Sequence, residues 1–297
     1  MLRHVSSALA VALTFAVPAA TAAAVQPSAA DSVTARAESQ KTTLIFADFE
    51  SAPTGRMSPA TFTKELGGTV SSYSLDDSSV VDTGGHRGKV YRIHLEKGTI
   101  RDNPSGNHGI VAVSELSRKV NQACIRYRVR FSKDFDFSLG GKLPGLEGVA
   151  PGVSPSVPAG GGNPGDKGWS GRMMWVGPEA YSWAGPVNMA VSYMYGPEQE
   201  STYGDNVRWN EAFGDGRWHR VKQCYRMNTV GRSNGKLRAW MDREKVLEVT
   251  DHVYRLRKDV HVSHLMWDVF RGGGTLDWAG SRDGHIDFDN VKVTTRS

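Results

Sequence analysis

Cysteine is nearly missing from this chain: its 297 residues hold two, Cys124 and Cys224. A multi-disulfide scaffold is therefore excluded, and no cysteine–histidine spacing suggests a zinc site. Long hydrophobic runs are missing too. The apolar stretch from about Ala8 to Ala20 is too short to span a bilayer, and no later segment is long and apolar enough. There is no Lys/Arg-rich tract and no nucleic-acid motif, so membrane and nucleic acid are both set aside as partners. Helix signals are sparse, no repeat is visible, and neither a Ser/His/Asp order nor a phosphate loop stands out.

What is present is glycine (33), proline (13) and tryptophan (8), the composition of many short strands joined by tight turns. The opening MLRHVSSALAVALTFAVPAATAAA has a basic start at Arg3, an apolar centre and a small-residue exit. It reads as a secretory signal peptide over residues 1–24, so a secreted, extracellular protein is expected. Residues 25–41 are rich in Ala, Ser and Thr without periodicity and read as a flexible lead-in; residues 42–297 suit a single domain. The formal net charge of +5 falls by one when Arg3 leaves with the leader. Such a mild positive balance suits an acidic polymer without selecting one.

Alternation marks the strands. VYRIHLEK, VNMAVSYMYG, KLRAWMDRE, VSHLMWDVF and HIDFDNVKVT all alternate between turn residues, and Asn234-Gly235 suggests a type I′ hairpin. The expected fold is all-β, a β-sandwich jelly roll of two antiparallel sheets with a concave face open to a polymer. In GWSGRMMW, Trp169, Gly171, Met173 and Trp175 share a core face, while Ser170, Arg172 and Met174 face either solvent or the floor of a groove. Two cysteines in an exported chain suggest a disulfide. Bonding Cys124 to Cys224 would gather Arg126, Arg128, Arg130, Lys222 and Arg226 on one basic surface, either a solvated face or a ligand surface. The segment from Gly140 to Gly168 holds so much Gly and Pro that it reads as a long surface loop, with Lys142 near its start.

Several of these motifs occur together. GGKLPGL, GWSGRMMW, the tyrosine pair of SYMYG, GRWH, NTVGRSNGKLRAWMD and the terminal FDNV resemble polysaccharide lyase family fourteen, the alginate-lyase-like jelly rolls, with glucuronan lyases as near relatives. The resemblance runs from about Leu44 to Thr295. It implies an enzyme that cleaves an acidic uronate polymer by β-elimination, leaving unsaturated oligosaccharides and requiring no cofactor. It also implies that Lys142, Ser170, Arg172, Tyr193 and Tyr195 line the cleft. Elimination must neutralise the uronate carboxylate, remove the weakly acidic proton beside it and protonate the leaving oxygen. Arg172 suits the first task bidentately with Lys142 as a second charge, Tyr193 and Tyr195 are the expected base and acid, and Ser170 a sugar ligand. Arg126 and Arg128 are further substrate-binding candidates, and a monomer is expected.

Other constellations are weaker. Asp287 and Asp289 share a strand face, and Asp48, Glu50 and Asp289 are candidates for a structural calcium ion joining the chain ends. His108 and His219 are candidate proton shuttles. Ser114, Glu115 and Leu116 match part of another alginate lyase strand, but Val113 and Ser117 replace its arginines, so its roles are not carried over. The alternative to an enzyme is a non-catalytic jelly roll that binds acidic polysaccharide.

Overall fold

Alternating segments become strands wherever one side chain in two can be buried. In a computed structural model, which describes residues 41–67, 70–84, 88–178 and 180–296, they build two antiparallel sheets around a shared core. The leader and almost all of the lead-in lie outside the described residues. In chain order the first strands are β1 (Lys41–Ala47), β2 (Gly55–Arg56), β3 (Val70–Ser74), β4 (Ser78–Asp82), β5 (Lys89–Leu95), β6 (Asp102–Asn103) and β7 (Gly106–Asn107). Next come β8 (Ile110–Val120), β9 (Gln122–Phe131), β10 (Gly140–Val149), β11 (Gly168–Val176), β12 (Met189–Tyr195) and β13 (Asp205–Arg208). The last are β14 (Trp218–Arg226), β15 (Gly235–Met241), β16 (Glu244–His252), β17 (Val262–Arg271) and β18 (Gly284–Arg296). The one α-helix among the described residues, α1 (Pro59–Leu66), starts where the Ser58 hydroxyl accepts from Thr61 N and Pro59 presets the first turn. No helix among the described residues is long and apolar enough to cross a membrane.

The nine-stranded sheet runs β16-β15-β14-β9-β18-β5-β4-β2, with β1 also paired to β18. The seven-stranded sheet runs β13-β12-β11-β10-β17-β8-β3. This is the expected jelly-roll sandwich. Ile125, Tyr127 and Val129 of β9 alternate inward, and Trp169, Met173 and Trp175 of β11 meet them in the core. Two tyrosines cross between the sheets: Tyr127 Oη donates to the Pro144 carbonyl (3.2 Å), and Tyr225 Oη to the Gly171 carbonyl (2.6 Å). Both accepting carbonyls lie on the central strands β10 and β11, so these bridges fix the strands that carry the site.

Three sequence readings are corrected. The segment from Gly140 is not loop throughout, because its first ten residues form β10, wholly buried between β11 and β17. Glycine is needed there for close approach: a Cβ on Gly145 would collide with Gly171 O, and one on Gly148 with His261 O. Pro144 falls where the register shifts, so its missing N–H leaves no ladder bond unmade. Second, Asn234 ends an eight-residue connection and Gly235 opens β15, so the pair does not form a two-residue turn. The tight hairpin is the next one, where Asp242 (φ 50°) and Arg243 (φ 84°) join β15 to β16 with both residues left-handed, as a type I′ turn requires.

The third correction concerns calcium. Among the described residues, no three acidic, His or Cys side chains are grouped to hold a metal. Asp48 accepts from Glu50 N, Glu50 receives Lys89 N, Asp289 receives Asn290 Nδ2, and Asp287 binds Arg92 and Arg130 at 2.7 Å each. Turn formation and arginine pairing engage these acids in different places.

Candidate active site

Cross-strand register assembles the site on the seven-stranded sheet. Lys142 of β10 stands opposite Met174 of β11; along β11, Arg172 stands opposite Tyr193 of β12 and Ser170 opposite Tyr195. The Ser-x-Arg and Tyr-x-Tyr spacings thus become a two-by-two block. Ser170, Arg172 and Met174, which sequence left between solvent and groove floor, are buried, as are Tyr193 and Tyr195.

Arg172 is held by Asp268 of β17, Nη1 to Oδ2 at 2.6 Å, with both side chains almost fully enclosed. Its guanidinium lies 5.3 Å from the Tyr193 ring centre and 5.6 Å from that of Tyr195. Nη2 donates to the Ala159 carbonyl (3.4 Å), whereas Nε is buried with no partner within the protein. A donor left in that state usually has a ligand or water to serve.

Lys142 is 7% exposed. Its Nζ donates to the Gly272 carbonyl (3.2 Å), sits 3.4 Å from Met174 Sδ and lies 4.4 Å from the Tyr193 ring centre. No carboxylate is among these contacts. Burial, reinforced by the Arg172 charge and partly offset by Asp268, lowers its pKa from the usual lysine value to about 7. Near neutral pH much of Lys142 is therefore a free amine.

The tyrosines are linked. Tyr193 Oη and Tyr195 Oη are 3.4 Å apart, with the rings edge to face at 5.5 Å, and Gly204 N donates to Tyr193 Oη at 3.1 Å. Burial first, and then Tyr195, push the Tyr193 phenol well above its ordinary value. Beside this block, Tyr181 and Trp183 stack in parallel at 5.0 Å and Trp278 meets Tyr181 edge-on.

Ser170 has a partner other than the expected sugar. It is completely buried and donates to the Pro158 carbonyl, which anchors the loop between β10 and β11 over the block. Gly162 N and Asn163 Nδ2 then tie this loop to Thr202 O (2.6 Å) and Gln199 O (2.8 Å) in the segment after β12.

Arg126 and Arg128 do not join the site. The Cys124–Cys224 bond is present and pairs β9 with β14, but both strands belong to the nine-stranded sheet, so the basic surface lies across the core from Lys142. His219 is structural: it accepts from Gly214 N and contacts Asp242 at 2.9 Å. His108 lies near Asp77 (3.8 Å) and Glu96 (3.7 Å), outside the block.

Sequence reasoning missed Asp268 and Glu147. The acid in the apolar run LMWDVF was a signal for the first. Glu147 of β10 is fully buried with both carboxyl oxygens unpartnered; burial and then Asp268 hold its proton well above the ordinary carboxyl range. Nothing in GLEGV marked it.

The sequence model of the family described as Polysaccharide lyase 14 matches residues 84–291, a span that contains this entire block. The chain belongs to that family. Membership makes it a polysaccharide lyase. No curated protein matches the chain. Among solved structures, the marine PL-14 alginate lyase from Aplysia kurodai is 23% identical, with TM-score 0.72 over 85% of this chain and 98% of that one. Alginate lyase Aly36B is 21% identical, with TM-score 0.67 over 84% and 95%. Alginate lyase vAL-1 from Chlorella virus is 18% identical, with TM-score 0.63 over 82% and 99%. At these identities the likeness is one of fold, the jelly-roll sandwich built above.

Proposed function

We propose that this polysaccharide lyase is exported and cleaves an acidic uronate polymer, alginate or glucuronan, by β-elimination at the Lys142–Arg172–Tyr193–Tyr195 block. The observation that carries the reading is a buried lysine with a pKa of about 7, stacked over one of two linked phenols and next to a buried arginine.

Burial changes the expected division of labour. A base must be deprotonated at working pH, and the environment of Tyr193 opposes its phenolate while that of Lys142 favours the free amine. Arg172, through its unpartnered Nε, neutralises the uronate carboxylate and so stabilises the charge that builds when the adjacent C–H bond breaks. The Lys142 amine takes that proton and becomes an ammonium. The electron pair forms the C4=C5 double bond and expels the glycosidic oxygen, which receives a proton from the Tyr193–Tyr195 pair. The ammonium and the phenols regain their resting states by exchange with solvent. Asp268 fixes the Arg172 plane, and Ser170 positions the loop that covers the reaction.

Two variants test the assignment. Arg172→Ala should abolish turnover and weaken polymer binding; Tyr195→Phe should cut turnover by about 10²-fold or more, the scale of lost general acid catalysis, and leave binding nearly intact. Normal turnover in both variants would overturn it. The proposed export is supported by the sequence of residues 1–24 and is tested by N-terminal sequencing of the exported protein, where an intact Met1 would contradict it.

A further inference from the structure

The nine-stranded sheet turns its outer face away from the block just described, and that face carries like charges in register. Across the strands, Phe46 of β1 pairs with Lys292 of β18, Lys292 with Arg126 of β9, Arg126 with Lys222 of β14, and Lys222 with Trp240 of β15. Three cations therefore stand side by side between two aromatic residues. Like charges directly opposite one another destabilise a sheet, so the charge pairing within this row opposes folding.

Neighbouring rows contain acids, although the next one also sets Arg220 opposite Arg128. One step along β9, Arg128 stands opposite Asp289, and beyond it Arg130 binds Asp287 at 2.7 Å. On the other side of the row lies the Cys124–Cys224 bond, followed by Arg238, whose charge Glu248 takes at 2.6 Å. The Lys292–Arg126–Lys222 row has no such acid opposite it. Arg126 Nε is buried with no partner, and the pKa values of Arg126 and Lys222 are lowered by burial and then by neighbouring cations.

The surroundings suit a sugar chain. Lys222 Nζ lies 4.0 Å from the Trp240 ring centre, Lys292 Nζ 5.7 Å from that of Phe46, and Phe46 is 51% exposed. Beside the row, a depression of about 380 Å³ opens over the disulfide, bordered by Lys222, Arg226, Lys236 and Trp240. Neighbouring strands are about 4.8 Å apart, close to the advance of one sugar along an extended glycan. Cations on successive strands can thus meet carboxylates on successive uronate units.

We propose that this row is a second, non-catalytic binding site for acidic polysaccharide, running across the strands, with carboxylates on Lys292, Arg126 and Lys222 and sugar faces on Phe46 and Trp240. It rests on the proposed function for the class of polymer. The site keeps the enzyme on its substrate between cuts, since a second contact on one chain raises the effective concentration of polymer at the first.

The test is calorimetric titration of the full mature chain carrying Lys142→Ala, which prevents cleavage, with a short polymannuronate or polyglucuronate oligomer. Two sites per chain are expected. Adding Lys222→Ala and Trp240→Ala should remove one of them, Lys222→Arg should keep it, and added salt should weaken it. In the otherwise native enzyme, Lys222→Ala with Trp240→Ala should leave turnover of short oligomers unchanged and reduce turnover of dilute polymer several-fold. A single site in both proteins, as when a second copy of the chain covers the face, would overturn the proposal. So would two sites that survive the double substitution. Loss of one site in a protein that cleaves no polyuronate would uphold this binding site while refuting the lyase assignment.

Discussion

Lys142 Nζ lies 4.4 Å from the centre of the Tyr193 ring, buried where its hydrogen bond goes to a backbone carbonyl rather than to a carboxylate. The ring face attracts an ammonium, but burial and Arg172 oppose the charge more strongly. A lysine placed in this way is poised between amine and ammonium at neutral pH.

Activity should therefore rise with pH through about 7, because the reactive amine is the deprotonated form. Tyr193, whose phenol is held protonated far above its ordinary range, should add no falling limb over the same interval. The check is kcat/KM on a soluble polyuronate between mildly acidic and mildly alkaline pH. A rate independent of pH across neutrality would remove Lys142 from the role of base.

Replacing Lys142 with methionine should abolish turnover and stabilise the fold. The unfolded chain keeps lysine protonated up to its usual value while the folded chain gives up the proton near 7, so folding stability rises with pH across that window and is penalised below it. Methionine removes the buried charge at nearly constant shape. A gain of at least about 1 kcal/mol is expected at mildly acidic pH, read as about 2–4 °C in Tm.

Glu147→Gln should be tolerated and should stabilise the protein near neutral pH. The folded chain retains the Glu147 proton well above the ordinary carboxyl value, whereas the unfolded chain releases it there. Stability conferred by the acid form therefore falls as pH rises above that ordinary value, and glutamine abolishes the dependence. Urea unfolding of both proteins at several pH values decides it; a strongly destabilised Glu147→Gln would mean that the carboxylate form is needed.

Changing Cys124 and Cys224 together to alanine removes a link between residues 100 apart in sequence. Loop-closure entropy gives roughly 4.7 kcal/mol for such a span, although measured effects often fall in the range of about 2–4 kcal/mol. A large drop in the urea midpoint is expected, with turnover kept at low temperature because the bond lies across the core from Lys142.

The sheets were legible because alternation is a local signal. ACIRYRVRF and GWSGRMMW each announce a strand, and the two cysteines announce which distant strands are neighbours. β10 was not legible. Its glycines and Pro144 break every local strand preference, and their purpose appears only when the backbones of β11 and β17 close in on either side. The site was half visible: family motifs supplied Lys142, Arg172, Tyr193 and Tyr195, while Asp268 and Glu147 gain meaning from burial beside Arg172, which no spacing reveals. Arg126 and Arg128, expected as substrate-binding residues on a shared basic face, lie across the core from Lys142, because strand periodicity tells which residues share a face but not which sheet a strand will join.

The most direct measurement is ultraviolet absorbance of the purified mature protein incubated with polymannuronate, polyguluronate, glucuronan and a neutral glucan. The account predicts growth of the unsaturated-uronate band on at least one acidic polymer, none on the glucan, and none with Lys142→Ala. Absence of the band on every acidic polymer, in a folded protein that still binds them, would contradict it and leave the block as a recognition surface without turnover.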